Sequence, residues 1–296
     1  MESKLKFCAV VNANALRNQK LLNQVIDLLK NNHEIEIFET KSKEEARDIF
    51  KKLSLKLFDR LIITGGDGSF NFAVNEVIKY PSLSTKEMGY IPLGTANILQ
   101  IEANIKKKAK DVYETLISKN TKKIYLAKAN NDYFFLMLGV GFDGTIVASI
   151  NSGIKKYLGK LIFIIKSLQH FLFLKNEKIK VILDNKTYEA NWVLITNARY
   201  YAGQYSISKK TNIFENGLIT YVFQNLTRMN LMYYVMLVLF KGDLAGAKNI
   251  ITSQAQKIKV TKTTEPLNTQ LDGEYFGLQD EIQIEETDKY INFLSK

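Results

Sequence analysis

Residues 1–125 alternate between short apolar runs and segments with helical spacing. Residues 18–32 and 42–56 place apolar side chains three and four positions apart, as an amphipathic helix does, and Ser42 with Glu45 matches a capping box. Strands that alternate with helices predict a parallel sheet covered on both faces. The predicted strands are KFCAVVN (6–12), EIEIFET (34–40), RLIITG (60–65) and GYIPL (89–93).

The pattern changes after about residue 120. Strand-length segments separated by turns then follow one another, which predicts an antiparallel, mostly β domain. Two long apolar segments, residues 154–175 and 228–243, interrupt this series and predict helical insertions. We therefore predict an α/β domain over residues 1–125 and a mostly β domain over residues 126–296.

The chain is basic, with a formal net charge of +11 that favours an acidic partner such as nucleic acid, an anionic membrane or a phosphorylated substrate. Nearly all of the cations are lysine, and no zinc, RRM or KH pattern is present, so we expect no nucleic-acid partner. The apolar runs are shorter than the ~20 residues of a spanning helix. We expect no signal peptide, and the lone Cys8 excludes an internal disulfide, so we predict a cytoplasmic protein.

Glycines and short polar residues follow the predicted strands. In GGDGS (65–69), a strand, a glycine turn and a helix start make an anion site, since bare backbone lets phosphate approach free N–H groups. Asp67 would repel phosphate unless a divalent cation or ribose hydroxyls lie between them. PLGTAN (92–97) repeats this chemistry at the next strand. Both segments are also compatible with ordinary strand-to-helix turns.

Two later segments carry carboxylates beside glycines. GVGFDG (139–144) has the spacing of a dinucleotide fingerprint. Asp143, however, lies where the pyrophosphate would approach, and the acidic residue that such a fingerprint has ~20 positions later is absent. We interpret it as a loop that presents Asp143, and an NAD-dependent oxidoreductase remains a weaker alternative. QLDGEYF (270–276) places Asp272 and Glu274 around a glycine, either as a hairpin turn or as a base for a hydroxyl group.

GGDGS, PLGTAN, GVGFD and LDGE, in this order, resemble the soluble diacylglycerol kinase and sphingosine kinase family of lipid kinases. The resemblance runs from about Phe7 to about Gln283. It implies a Rossmann-like doubly wound α/β domain, a C-terminal antiparallel β-sandwich, and ATP in the cleft between them. It also implies Mg²⁺-dependent transfer of the γ-phosphate of ATP to a lipid hydroxyl, with a diacylglycerol-like acceptor as the first expectation.

The resemblance assigns roles to individual residues. It implies that Asp272 or Glu274 is the proton acceptor, without deciding between them, and that Asp143 lies at the substrate. A turn that holds a metal ion in the family matches Ile213, Asn216 and Leu218. The residues expected at ATP are Asn12, Thr40, Gly65, Gly66, Asp67, Gly68, Ser69, Asn71, Thr95 and Asn97.

Several positions depart from the family pattern. Phe72 replaces a glutamate after the glycine loop, Asn216 replaces the metal-binding aspartate, and Ile98 stands where many relatives have aspartate. The segment NANALRNQ (12–19) lacks the usual Asn-Pro and Ser-Gly turn. These departures keep open a second function class, a non-catalytic nucleotide- or lipid-binding protein on the same fold.

The first helical insertion has the composition of a membrane-surface helix. It could lie on an anionic membrane and receive a lipid, or bury one face on its own domain. We expect peripheral membrane contact, and a homodimer is a further possibility. The cations and apolar residues concerned are Lys155, Lys156, Lys160, Lys166 and Lys175 with Leu158, Leu161, Ile162, Ile165 and Leu168.

Overall fold

The structure is a computed structural model that describes residues 4–13, 18–150, 160–172 and 178–296. The chain divides into two compact units. One comprises Met1–Ile124 together with Tyr290–Lys296, and the other comprises Tyr125–Lys289. The return of the final residues to the first unit was not indicated by the sequence pattern.

The first unit contains the predicted alternation of strands and helices. Its described elements before residue 120 are β1 (Lys6–Asn12), α1 (Gln19–Asn32), β2 (Glu34–Thr40), α2 (Lys43–Leu53), β3 (Arg60–Gly65), α3 (Asp67–Val77), α4 (Pro81–Ser84), β4 (Glu87–Pro92), α5 (Ile98–Glu102) and α6 (Ala109–Leu116).

The strands of this unit form a parallel sheet in the order β2-β1-β3-β4. Every residue of β3 is buried, as expected for a central strand covered on both faces. The capping box at α2 forms in part. The Ser42 side chain accepts a hydrogen bond from Glu45 N at 3.1 Å, and the Glu45 carboxylate accepts from Lys41 N at 2.7 Å.

The second unit is mostly β. Its described elements, with strands shared at either end of the unit, are β5 (Asn120–Ala129), β6 (Asp132–Phe134), β7 (Met137–Gly141), α7 (Phe142–Ala148), α8 (Lys160–Leu172), β8 (Ile179–Leu183), β9 (Lys186–Ala190), β10 (Trp192–Thr196), β11 (Tyr200–Tyr201), β12 (Tyr205–Ser206), β13 (Ile219–Phe223), α9 (Arg228–Phe240), β14 (Ile250–Ser253), β15 (Lys257–Lys262), β16 (Leu267–Leu271), β17 (Glu274–Gln279) and β18 (Glu281–Ser295).

Two antiparallel sheets of this unit face one another. One contains β18-β15-β8-β9 with β5 and β6, and the other runs β14-β13-β10-β7-β16-β17. Side chains from both sheets share one buried cluster, with Val181 and Val260 from the first sheet and Val140, Val193 and Val222 from the second. The predicted fold class, a doubly wound α/β domain followed by an antiparallel β-sandwich with helical insertions, is confirmed.

The two helical insertions contain α8 and α9. Of the residues expected at a membrane, Lys155, Lys156, Leu158 and Lys175 lie outside the described part of the chain. Within the described part, no helix combines the length and the apolar character needed to cross a bilayer.

Strand β18 begins in the second unit and ends in the first. In the first unit it extends the parallel sheet, where Asn292 pairs with Glu87 and Phe293 pairs with Met88 on β4. Phe293 and Leu294 are fully buried, so this final segment is part of the first core.

Candidate active site

The carboxyl edge of the parallel sheet collects the predicted nucleotide-binding segments. The strand register places Asn12 beside Thr40 and Gly65 beside Pro92, so that the loops after these strands start at the same edge. Asn12 Nδ2 lies 3.5 Å from Ser69 Oγ, which links the end of β1 to the loop after β3.

The glycine loop leads directly into a helix. Gly66 is the N-cap of α3, and its carbonyl accepts hydrogen bonds from Ser69 N at 3.0 Å and Phe70 N at 3.1 Å. The first N–H groups of a helix have no intrahelical partner and carry the positive end of its dipole. The start of α3 is therefore suited to an anion.

Bare backbone is required here because two loops touch. A Cβ atom built on Gly94 would lie 2.5 Å from Gly66 Cα and 2.6 Å from Asn97 Oδ1. The Gly65 carbonyl accepts hydrogen bonds from Leu93 N at 2.7 Å and Gly94 N at 3.1 Å. The GGDGS and PLGTAN segments thus form one continuous backbone surface.

Asp67 fastens these two loops together. Its carboxylate is buried and accepts hydrogen bonds from Ile98 N at 2.8 Å and Leu99 N at 3.1 Å, at the start of α5. The carboxylate therefore satisfies the helix start that would otherwise be a second anion site. The sequence interpretation of Asp67 as a group facing a metal ion or ribose did not include this role, and a direct nucleotide contact stays a prediction.

Asn97 and Tyr90 support the same corner. Asn97 adopts a left-handed backbone conformation (φ 48°), and its Nδ2 donates to the Gly94 carbonyl at 2.9 Å. The Tyr90 hydroxyl lies 3.1 Å from the Gly65 carbonyl and 3.2 Å from Asn97 Oδ1. Burial, and then the charge of Asp67, raise the pKa of Tyr90 well above its usual range, so this hydroxyl stays a donor.

The other predicted nucleotide contacts lie in the same loops. Thr40 is buried, and its hydroxyl donates to the Ser42 carbonyl at 2.7 Å. Asn71 accepts hydrogen bonds from Asn75 Nδ2 through its carbonyl oxygen and its Oδ1. Gly68 and Thr95 are half-buried. Their contacts with ATP stay predictions.

Phe72 packs against α2. Its ring lies 6.5 Å from that of Phe50, and the Arg47 guanidinium lies 5.9 Å from its centroid. Four residues later, buried Glu76 pairs with Lys79 at 2.8 Å and with Arg47 at 3.6 Å. The departure from the family pattern at position 72 is thus accommodated by packing between α2 and α3.

In the second unit, Asp272 and Gly273 form the turn of the β16–β17 hairpin. Both residues have positive φ, 48° and 82°, as a two-residue type I′ turn requires. The Asp272 carboxylate is buried and accepts hydrogen bonds from Phe135 N at 3.1 Å and from Leu136 N and Met137 N at 2.9 Å each.

The two candidate bases therefore differ in their surroundings. The Asp272 carboxylate holds the main chain that enters β7, whereas Glu274, on the other side of Gly273, has an exposed side chain. An exposed carboxylate can accept a proton from an incoming hydroxyl group, while a buried one bound by three N–H groups is poorly placed for that task. The geometry favours Glu274.

The GVGFDG segment is built around a buried carboxylate. Asp143 accepts hydrogen bonds from the Tyr201 hydroxyl and from Gln270 Nε2, the latter at 2.8 Å. A Cβ atom on Gly139 would lie 2.1 Å from Asp143 Oδ2, and one on Gly144 would lie 2.1 Å from the Asn268 carbonyl oxygen. The glycines make room for Asp143 and for β16, in an antiparallel sheet.

Asp143 is also connected to the hairpin turn. Gln270 Oε1 accepts from Gly273 N at 2.8 Å while its amide donates to Asp143, so one side chain joins the carboxylate to the turn before Glu274. Burial raises the pKa of Asp143, and the hydrogen bonds from Tyr201 and Gln270 act in the opposite direction. Tyr201 carried no sequence signal, and Gln270 stood out only as the first residue of QLDGEYF, because both meet Asp143 only through the fold.

The predicted metal-binding turn offers few negatively charged ligands. The Ile213 carbonyl accepts from Tyr125 N at 3.1 Å, and Leu218 N donates to Glu286 Oε1 at 2.7 Å. Asn216 is exposed and supplies a neutral amide where an aspartate would supply a charge. Within the described residues, no cluster of three or more His, Cys, Asp or Glu side chains could hold a metal ion. These residues fit a bound divalent cation poorly.

Residues 6–129 match the model of the diacylglycerol kinase catalytic domain. The chain is 25% identical to a diacylglycerol kinase of Bacillus subtilis (strain 168) over 240 residues, which cover 79% of this chain and 77% of the relative. It is 22% identical to a diacylglycerol kinase of Staphylococcus haemolyticus (strain JCSC1435) over 282 residues, which cover 92% of this chain and 84% of the relative. The family resemblance predicted from the order of the motifs is confirmed.

Solved structures show the same fold. A diacylglycerol kinase from Bacillus anthracis str. Sterne superposes with a TM-score of 0.73 at 17% identity, covering 100% of this chain and 98% of the other. Another structure from the same strain has a TM-score of 0.81 at 21% identity, covering 100% and 97%.

Proposed function

We propose that the chain, whose residues 6–129 match the model of the diacylglycerol kinase catalytic domain, transfers the γ-phosphate of ATP to a hydroxyl group of a membrane lipid. The observation that carries the proposal is the contact between Gly66 and Gly94 at the carboxyl edge of the parallel sheet. It creates a backbone surface without side chains beside the start of α3, where phosphate groups are stabilised by N–H donors and the helix dipole.

The inward orientation of Asp67 supports the same assignment. Because its carboxylate accepts N–H groups of Ile98 and Leu99, its charge is partly compensated inside the protein. The loop surface can then receive an anion with less repulsion than the sequence alone suggested.

We assign the proton acceptor to Glu274. The lipid hydroxyl oxygen forms a bond to the γ-phosphorus, its proton passes to the Glu274 carboxylate, and the bond from the γ-phosphorus to the bridging oxygen breaks to leave ADP. The protein contributes mainly by positioning the reactants and by stabilising charge. Asp272 and the Asp143–Gln270 pair act indirectly, because they hold the turn on which Glu274 lies.

We propose that Mg²⁺ enters with ATP. Mg²⁺ is commonly bound by substrate phosphates with one or two protein carboxylates, and it neutralises their negative charge. Among the described residues, no cluster of three or more His, Cys, Asp or Glu side chains lies at the turn of Ile213, Asn216 and Leu218, so no step of this reaction depends on a separate ion there.

A diacylglycerol-type lipid is the proposed acceptor, because the two curated relatives described above are named diacylglycerol kinases. We propose that the protein works in the cytoplasm at the surface of an anionic membrane. Its basic charge of +11 supports contact with such a surface.

The test is transfer of phosphate from γ-labelled ATP, with Mg²⁺, into diacylglycerol dispersed in mixed micelles. Glu274→Gln is expected to lower the rate by ~10²–10⁴ while leaving ATP binding unchanged. The matched control is Glu265→Gln, which removes another exposed glutamate of the same unit and should have no effect.

Three results would change the proposal. Equal rates for Glu274→Gln and the wild-type chain would exclude Glu274 as the base. Label in another lipid of a total membrane extract, but none in diacylglycerol, would replace the acceptor. ATP binding without any labelled product would favour a non-catalytic nucleotide-binding protein on this fold.

A further inference from the structure

Helix α9 of the second unit exposes an unusual amount of apolar surface. Five of its side chains follow the i, i+3, i+4, i+7, i+11 spacing of one helix face, and all five are exposed. Val235 and Leu239 widen this face and are exposed as well. The five side chains are Met229, Met232, Tyr233, Met236 and Phe240.

The opposite side of α9 does not compensate with charge. Leu231 and Tyr234 are its buried residues, and the helix contains one cation, Arg228, and no acidic residue. A helix that is apolar on all sides is normally buried in a protein or in a membrane. Here eight of its thirteen residues are exposed, so a partner is expected to cover it.

Helix α8 extends the same surface. Ile165, Leu168 and Leu172 are exposed on it. Arg228 joins the two helices, because its guanidinium donates hydrogen bonds to the carbonyl oxygens of Phe171 at 3.3 Å and Leu172 at 2.6 Å. We call the exposed apolar residues of α8 and α9 together the α8–α9 face.

The sequence segments that contain α8 and α9 are mainly basic. In the sequence, residues 154–178 contain six lysines and a single acidic residue, Glu177. Residues 228–243 contain Arg228, Lys241 and one acidic residue, Asp243. Apolar side chains beside lysines and arginines, with almost no carboxylates, are the features by which a helix binds the interface of an anionic bilayer.

We propose that the α8–α9 face docks on the surface of an anionic phospholipid bilayer, with α9 lying in the plane of the interface. At 1.5 Å per residue, α9 is about 20 Å long, shorter than the ~30 Å hydrocarbon core, so it lies along the membrane and does not cross it. This inference deepens the proposed function, on which it rests for the need to reach a lipid substrate.

The test is co-sedimentation with sucrose-loaded vesicles of phosphatidylglycerol and phosphatidylcholine. The variant Met229→Gln/Met236→Gln/Phe240→Gln removes three side chains that are 74%, 51% and 80% exposed, so its fold should be preserved. We expect its vesicle partition coefficient to fall by about tenfold or more, because three apolar groups no longer leave water.

A matched control exists in the first unit. Leu55→Gln/Leu57→Gln replaces two leucines that are 88% and 92% exposed and lie outside the α8–α9 face. This variant should bind the vesicles as the wild-type chain does. Binding should also weaken when phosphatidylglycerol is omitted or when salt is raised.

Several results would overturn the proposal. The first is a triple variant that binds vesicles as the wild-type chain does. The second is an equal loss of vesicle binding in the triple variant and the control. The third is a wild-type chain that does not bind the vesicles. Light scattering tests the alternative that the partner is a second copy of the chain, because it measures whether the chain is a dimer. If the wild-type chain is a dimer that the triple variant dissociates, and neither binds vesicles, the face is a self-interface.

A parallel assay separates this inference from the kinase activity. Turnover of a short-chain diacylglycerol that is soluble in water needs no docking, so the triple variant should retain it. Loss of this turnover together with vesicle binding would point to damage elsewhere and overturn the proposal. A wild-type chain that binds vesicles but phosphorylates no lipid would contradict the kinase assignment alone.

Discussion

The two units use similar sequence elements for different purposes. In the first unit, Gly65–Ser69 follows a strand of a parallel sheet, and its glycines let two loop backbones touch. In the second unit, Gly139–Gly144 spans the end of β7, a strand of an antiparallel sheet, and the start of α7, and its glycines make room for a buried carboxylate and a neighbouring strand. The spacing of glycines alone therefore does not identify a phosphate site.

Three buried aspartates in these segments differ in the groups that they bind. Asp67 binds two N–H groups at the start of α5, Asp272 binds three N–H groups of the main chain that enters β7, and Asp143 binds two side chains. All three are buried and followed by glycine. Each aspartate therefore stabilises the groups around it. The groups available to a ligand are exposed neighbours such as Glu274, which follows Asp272 and Gly273.

Among stability effects, the largest is expected for Asp272→Asn. The amide keeps one acceptor for three N–H donors, so a charge-assisted bond is lost and a buried N–H is left opposite an NH₂ group. We expect a loss of about 2–3 kcal/mol in unfolding free energy, measured by denaturant titration. Glu274→Gln, at an exposed position, should change it by less than about 0.5 kcal/mol. Equal losses would contradict the distinction drawn between these two carboxylates.

Alanine at Gly94 or Gly139 sharpens the comparison of the two glycine loops. Each added Cβ would lie far inside contact distance of its neighbours, so we expect a loss of about 1–3 kcal/mol in either case. ATP binding, measured by calorimetry, should weaken strongly for Gly94→Ala and remain for Gly139→Ala. Weaker ATP binding by Gly139→Ala alone would reverse the roles of the two loops.

Asp67→Asn tests whether this carboxylate stabilises the contact between the glycine loop and the start of α5. One of its two N–H acceptors is replaced by a donor, so about 1–2 kcal/mol of stability should be lost in the absence of nucleotide. Faster hydrogen exchange at the Ile98 and Leu99 amides would locate the change. An unchanged nucleotide-free protein, with an altered Mg²⁺ dependence of ATP binding, would instead show a metal contact.

The smallest effect concerns the pH dependence from Asp143. Burial raises the pKa of the Asp143 carboxyl group above the ordinary value of 3.8. The stability that this group contributes is therefore fully present below pH 3.8 and is lost as the pH rises through the raised pKa. Asp143→Asn should remove this dependence. Unfolding measured from pH 4 to 7 should show the wild-type chain losing stability relative to the variant. A constant difference would argue against the raised pKa.

Much of the fold followed from local sequence patterns. Strand β1, β2 and β3 have the predicted bounds, and the Asp272–Gly273 turn has the predicted hairpin geometry. These features depend on neighbouring residues, whose periodicity and turn preference are visible in the sequence. The apolar run over residues 132–140 forms two strands, β6 and β7, because the N–H groups of Phe135, Leu136 and Met137 donate to the Asp272 carboxylate.

The candidate site was predicted only in part, because its decisive contacts join distant segments. Sequence identified the glycine loops and the acidic pair, but not that Asp67 would bind α5, 31 residues away. Nor did it indicate that Tyr201 would meet Asp143, 58 residues away. Local patterns report which residues share an element, whereas these bonds depend on how elements are arranged.

The return of β18 to the first unit has a consequence for biosynthesis. The edge of β4 pairs with Asn292 and Phe293, which leave the ribosome roughly two hundred residues after Glu87. The sheet of the first unit therefore cannot be complete until the end of the chain has been synthesised. An unpaired strand edge is a template for aggregation until its partner arrives. Expression of residues 1–124 alone should therefore yield aggregated material. Supplying the final segment through a linker, or by circular permutation, is the rational route to an independently folding first unit.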